Sequence, residues 1–177
     1  MAVETMERPY PLGAGWRKVM MWAFIVTDGL LFAGFLASYG YARLMSAHWP
    51  VQHEVFSLAY LAVMTFVLIS SSATMASAVE AARVEQWKAA TRFVFLTVLG
   101  GAVFLGMQAY EWAHVIAEGA SLTHNSWGDA AFGSYFFLLT GFHGSHVLTG
   151  LIVLAVTGVH TARRRSTPEG VEMAGLY

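Results

Sequence analysis

VFSLAYLAVMTFVLISSSATMASAV, the stretch from Val55 to Val79, holds no Asp, Glu, Lys or Arg in 25 positions. Buried helices of soluble domains rarely run so long without a charge, whereas a helix crossing a hydrocarbon core of about 30 Å needs about 20 such residues. That reading sets the fold class as all-α, a polytopic bundle of transmembrane helices. Outward from this stretch the pattern recurs, predicting four spans at approximately 18–43, 55–82, 91–118 and 130–162 in one transmembrane helical domain over 1–177. Composition agrees: 56% of residues are apolar or aromatic and the mean hydropathy is +0.54, above that of ordinary soluble domains.

The same composition excludes several classes of function. A net charge of −1 offers no basic surface for nucleic acid, and zero cysteines remove disulfides, iron–sulfur clusters, thiolate zinc sites and cysteine nucleophiles. The first sixteen residues, with Glu4, Glu7 and Arg8, are too polar and acidic for a secretory signal and read as a short tail. Lys and Arg are retained on the cytoplasmic side during insertion. Arg8, Arg17 and Lys18 precede span one, Arg83, Lys88 and Arg92 join spans two and three, Arg163 to Arg165 follow span four, and only Arg43 falls opposite. The bias predicts a cytoplasmic amino terminus and an even number of spans. Trp16, Trp49, Trp112 and Trp127 fall near span ends, as interfacial aromatics do.

A charged side chain at bilayer depth costs about 2.5–3.5 kcal/mol on insertion scales, so each one needs a partner or a task. Asp28 lies about ten residues, roughly 15 Å, into span one, near the midplane. Two readings stand for it: a neutral acid bonded to a neighbouring helix, or a group with a proton-related or subunit-contact role. Glu111 and His114 share a helical face, with Gln108 one turn earlier. Glu-x-x-His is half of the di-iron carboxylate motif, but that site needs the motif twice plus further carboxylates, so no metal is assigned. Glu111 is expected at the outer interface, in a structural hydrogen bond or a proton-related role. His143 and His146 also share one face, whereas axial haem ligation takes imidazoles from opposite sides of the ring. They are expected to bond another helix or a lipid head group, with Gly141 and Gly144 allowing close approach. Ser70 to Ala78 is a small-residue run suited to tight helix packing, and Arg163 to Arg165 anchor topology with anionic-lipid contact as a second role.

These residues together resemble a known family, subunit III of the haem–copper terminal oxidases, which comprise cytochrome c oxidases and quinol oxidases. The specific match is Phe132-Gly133-Ser134-Tyr135-Phe136-Phe137 followed by Thr140-Gly141-Phe142-His143-Gly144-Ser145-His146-Val147 and Gly150. Weaker matches fall in the family's order: Ile25 to Phe35, Ser70 to Thr74, and Gln108-Ala109-Tyr110-Glu111.

The resemblance implies a non-redox accessory subunit of an aerobic respiratory oxidase in a bacterial cytoplasmic membrane. It implies packing on the catalytic subunit I beside other oxidase subunits, with haem and copper only on those partners, and it leaves room for a respiratory supercomplex partner. Bound phospholipid and support of proton uptake are expected on the same ground. Asp28 stands where the family carries an intramembrane carboxylate, usually Glu, and Glu111, His143 and His146 match its Q-A-x-E segment and histidines. Gly170 to Tyr177 looks like the lead-in to the family's last helix, so a fifth, C-terminal span is expected in the family beyond the four. Two rivals come from other classes: a haem-bearing four-helix anchor of a quinone-linked dehydrogenase, and a small transporter. The first wants facing imidazoles at matching depth; the second wants broken helices, yet no span contains proline.

Overall fold

The computed structural model describes residues 16–50, 57–124, 126 and 128–176. The expected polar tail through Gly15, the start of span two at Val55, and Trp127 lie outside the described residues. Among the described residues five helices follow in order: α1 (Trp16–Met45), α2 (Leu58–Arg83), α3 (Trp87–Ala117), α4 (Ala130–Ala162) and α5 (Pro168–Leu176). The first four are long and apolar enough to cross a membrane, and the described residues contain no strand, so the all-helical bundle is borne out. The short α5 was not anticipated.

α2 and α3 form the densest pair because their facing surfaces are nearly bare of side-chain bulk. A methyl group built on Gly100 would sit 2.9 Å from Ser71 Cβ, so only glycine admits this approach. Across the contact Ser71 Oγ donates to the Thr97 carbonyl at 3.1 Å, and the Thr74 and Thr97 hydroxyls share a hydrogen bond of 2.8 Å. The small-residue run of span two thus does the packing expected of it, with hydroxyl hydrogen bonds supplementing van der Waals contact. The turn into α3 is closed by Gln86 N–H donating to the Ala81 carbonyl, with Glu85 in the left-handed region at φ 57°.

α4 lies against α3. Trp112 Nε1 donates to Thr140 Oγ1 at 3.0 Å, and Gly141 leaves the space that the indole fills. At the start of α4, Asp129 caps the helix by accepting from Ala131 N–H at 3.0 Å. That bond, followed by one from the Ser46 hydroxyl, holds the Asp129 carboxyl below the usual carboxylate range.

α5 folds back onto the opposite end of the bundle. Its Val171 and Ala174 are buried with Met75, Ala78 and Ala82 of α2 and Ala90 and Val94 of α3. Above them Glu172 bridges two helices: Oε1 is 2.8 Å from Lys18 Nζ on α1 and Oε2 is 3.3 Å from Arg83 Nη2 on α2. These two partners, Lys18 before Arg83, hold the Glu172 carboxyl below its ordinary value.

Two outcomes follow from this packing. Gly100→Leu is expected to overfill the α2–α3 contact and destabilise by about 1–3 kcal/mol, read as a lower thermal midpoint of the purified protein. A carboxylate with a depressed folded pKa contributes stability above its unfolded value of about 4.3 and loses it as pH falls through the folded value. Wild type is therefore expected to outlast Glu172→Gln near neutral pH, with the two melting curves converging well below pH ~4. A gap that persists at low pH would show that the carboxylate charge is not the source.

Candidate functional site

The polar residues singled out in spans one and four are brought together by the contact of α1 with α4. Phe32 meets Phe142 at a ring distance of 5.5 Å, and Phe35 meets Phe142 at 5.5 Å. Ser38 Oγ and Tyr135 Oη share a hydrogen bond of 2.7 Å. These contacts set the helices in the register that places Asp28 Oδ1 3.0 Å from His146 Nε2. His146 lies halfway along α4, so the pair sits deep within the apolar length of the bundle.

The other imidazole nitrogen decides the proton count. His146 Nδ1 lies 3.1 Å from the Phe142 carbonyl, which can only accept, so Nδ1 carries a hydrogen in this arrangement. A hydrogen bond between Nε2 and Oδ1 then needs a proton between them, which either the carboxyl or the ring can carry. The two side chains are partly exposed, 27% for Asp28 and 25% for His146, and both line a cavity of about 400 Å³. Phe24, Ile25, Leu68 and Leu151 are among its apolar lining, and Ser71, Thr97 and His143 also face it.

His143 lines the same cavity but does not join the pair. Its ring packs edge-on against Phe32 at 6.1 Å and Phe104 at 6.0 Å, tying α1, α3 and α4 together. Arg163 is far along the chain from this site, exposed at the turn between α4 and α5.

Glu111 lies six residues before the end of α3, with its side chain enclosed by protein. It is 7% exposed, and Tyr60 lies within its electrostatic reach while donating to the Met107 carbonyl at 2.9 Å. His114 turns away to Glu118, Nε2 to Oε1 at 3.3 Å, so the Glu-x-x-His spacing does not produce a joint site. Among the described residues no group of three or more His, Asp or Glu side chains is placed to hold a metal ion.

Sequence reasoning found Asp28, His143 and His146 but missed Glu172 and α5. The sequence offers only a nine-residue pattern there, Pro168 then Glu169 and Glu172, with Val171 and Ala174 on one face.

Helical membrane bundle and paired intramembrane polar groups define the class, and comparison with known proteins defines the family. The model of the family described as cytochrome c oxidase subunit III matches residues 12–177. A probable cytochrome c oxidase subunit 3 from Nocardia farcinica is 33% identical over 167 residues, 94% of this chain and 77% of that protein. A quinol oxidase subunit 3 from Bacillus spizizenii is 32% identical over 148 residues, 84% of this chain and 70% of that one. A cytochrome bo(3) ubiquinol oxidase subunit 3 from Pseudomonas aeruginosa is 36% identical over 135 residues, 76% of this chain and 62% of that one. The chain belongs to the cytochrome c oxidase subunit III family and is an accessory subunit of a haem–copper terminal oxidase. The dehydrogenase anchor finds no support among these relatives.

If Asp28 and His146 are energetically a pair, Asp28→Leu alone strands Nε2 and is expected to cost about 1–3 kcal/mol. Asp28→Leu combined with His146→Phe is expected to recover much of that loss, since both buried polar partners are then gone. Thermal midpoints of the two single variants and the double variant check this; strictly additive losses would mean that the two residues do not interact.

Proposed function

We propose that this chain carries no redox centre of its own and serves its oxidase by holding the catalytic subunit, bound phospholipid and a proton-exchanging pair in one membrane scaffold. Haem and copper belong on the partner subunits, where dioxygen is reduced to water. The relatives named as oxidase subunits support partners of that kind, and subunit I is the one proposed for direct packing. The excess of Lys and Arg before α1, between α2 and α3 and after α4 supports a bacterial cytoplasmic membrane orientation with the amino terminus inside.

The observation that carries the reading is the Asp28–His146 contact of 3.0 Å at the edge of the cavity. A shared proton there can be released if the hydrogen on Nδ1 moves to Nε2, which lets the ring donate to the carboxylate that remains. Such a pair suits a reserve that smooths proton supply to the catalytic subunit. Phospholipid is proposed to cover the apolar walls beside it, with Arg163 at the bundle end contacting anionic head groups. Glu111, enclosed near the far end of α3, is proposed as a subunit-contact or proton-related group of secondary weight.

Asp28→Ala in the assembled oxidase is expected to leave the initial rate of oxygen consumption near that of wild type and to accelerate loss of activity during sustained turnover. Oxygen-electrode traces over many turnovers measure both quantities at once. An unchanged inactivation rate would overturn the role given to the pair.

A further inference from the structure

The cavity of about 400 Å³ beside Asp28 is unevenly walled. α2 packs on α3, α3 on α4, and α1 on α4 and α5, but among the described residues α1 makes no substantial contact with α2 or α3. Both α1 and α2 nevertheless line the cavity, through Phe24 and Ile25 on one and Leu68 on the other. Two walls that do not pack on each other leave a gap, and the medium around a membrane-spanning bundle at that depth is hydrocarbon. The end of the cavity toward Lys18 is different. Ala174 and Leu176 of α5 line it, and α5 is fixed there by the buried Val171 and by Glu172 set between Lys18 and Arg83. A molecule reaching Asp28 between α1 and α2 therefore arrives sideways from the bilayer and has dissolved in lipid first.

Inside, such a molecule meets polar groups with bonding capacity to spare. Asp28 and His146 remain partly exposed to the cavity after bonding each other, and His143 lines it one turn of α4 away. Among the described residues no group other than His146 bonds the Asp28 carboxyl, and neither ring nitrogen of His143 makes a hydrogen bond. A carboxyl offers about four lone-pair positions, and a neutral imidazole offers one N–H and one acceptor nitrogen. Both groups can thus serve a ligand that donates or one that accepts.

The lining also limits the ligand's charge. Among the described residues no Lys or Arg lines the cavity, so a phosphate would have no counter-charge, and a second carboxylate would be repelled by Asp28. An acyl chain would satisfy the apolar walls and leave the polar groups unused. The lining suits an uncharged molecule, apolar over most of its body, whose oxygen atoms accept in one form and donate in another. A quinone ring on an isoprenoid tail has this chemistry. Its carbonyl can accept from a His143 N–H, and the hydroxyl of its reduced form can donate to the imidazole or to the Asp28 carboxyl, while the tail lies along Leu151 and Leu154. The volume is within the roughly 300–1,000 Å³ usual for sites that enclose one small molecule.

We infer that this cavity binds the head group of a prenylated quinone or quinol, entered from the bilayer between α1 and α2 and recognised by His143 together with the Asp28–His146 pair. The site shares that pair with the proton role proposed above but does not depend on it.

The test uses the purified oxidase complex in phosphatidylglycerol and phosphatidylethanolamine vesicles, irradiated with an isoprenoid-tailed azidoquinone. Label is read by peptide mapping on this chain alone, so a quinone site on another subunit does not enter. Label is expected on the α1 segment around Asp28 and the α4 segment around His143, displaced by unlabelled quinone and not by added phosphatidylglycerol. His143→Leu, which removes one hydrogen-bonding partner, is expected to lower it about fivefold. Leu68→Trp, which fills the cavity without touching a polar group, is expected to abolish it. Absence of label from both segments overturns the inference. So does label that phosphatidylglycerol displaces as well as quinone does, which would make the occupant a lipid chain, and so does label that neither variant changes. Should a variant fail to assemble, the competition in wild type decides. Turnover inactivation of Asp28→Ala judges the proton role separately, so either idea can fail while the other stands.

Discussion

Hydrocarbon offers no hydrogen-bond partners, so every polar group placed within the span of the bundle must find its partner inside the protein. Asp28 meets that demand at His146 Nε2, and His146 meets it a second time at the Phe142 carbonyl. The constraint reaches beyond the pair. It requires α1 to lie within side-chain reach of α4 at one register, and it gives Phe32, Phe35 and Ser38 their partners on the same strip of α4. The cavity beside the pair is a consequence: helices brought together at one strip need not touch along the whole of their length.

The bundle uses two kinds of contact, divided by helix. α2, α3 and α4 approach through glycine, serine and threonine, with Ser71, Thr74 and Thr97 bonded across the first contact and the Trp112 indole lying over Gly141 in the second. Small residues let backbones come close, and dispersion between close backbones substitutes for the hydrophobic drive that lipid removes. α1 instead leans on aromatic rings and single hydrogen bonds. Its apolar window has none of its residues buried in the bundle, against 17% for α2 and α3. Much of α1 thus presents apolar surface to whatever surrounds the bundle in the membrane, and α1 is the helix with the least internal reason to stay where it is.

How much of this was legible in the sequence depends on the range of the forces involved. The spans were plain because hydrophobicity over about 20 residues is a local property and the bilayer reads it locally. The packing role of Ser70 to Ala78 was equally visible, since small residues in an apolar run have few other uses. Asp28, His143 and His146 stood out because charge and imidazole are expensive at depth, yet the pairing of Asp28 with His146 rather than His143 depended on a helix rotation that no spacing rule specifies. Glu111 shows the converse. Its position near a span end suggested water, but the surroundings supplied by other helices enclose it, and depth along one helix says nothing about those. α5 was hidden for a different reason: nine residues after the Arg163 to Arg165 turn carry too short a pattern to read as a helix until α2 and α3 provide a surface for Val171 and Ala174.

The interplay of the long helices with α5 gives the charges at that end a second meaning. Lys18 and Arg83 count among the cations that set orientation, a role that depends only on their side of the membrane. Once the helices have assembled, both side chains converge on the single carboxylate of Glu172. Each ion pair is partly exposed, and such pairs taken singly stabilise by little. Their effect lies in geometry, because one carboxylate shared by two helices restrains their separation even where each bond is weak. Residues that first direct insertion thus converge on one carboxylate once the helices are in place.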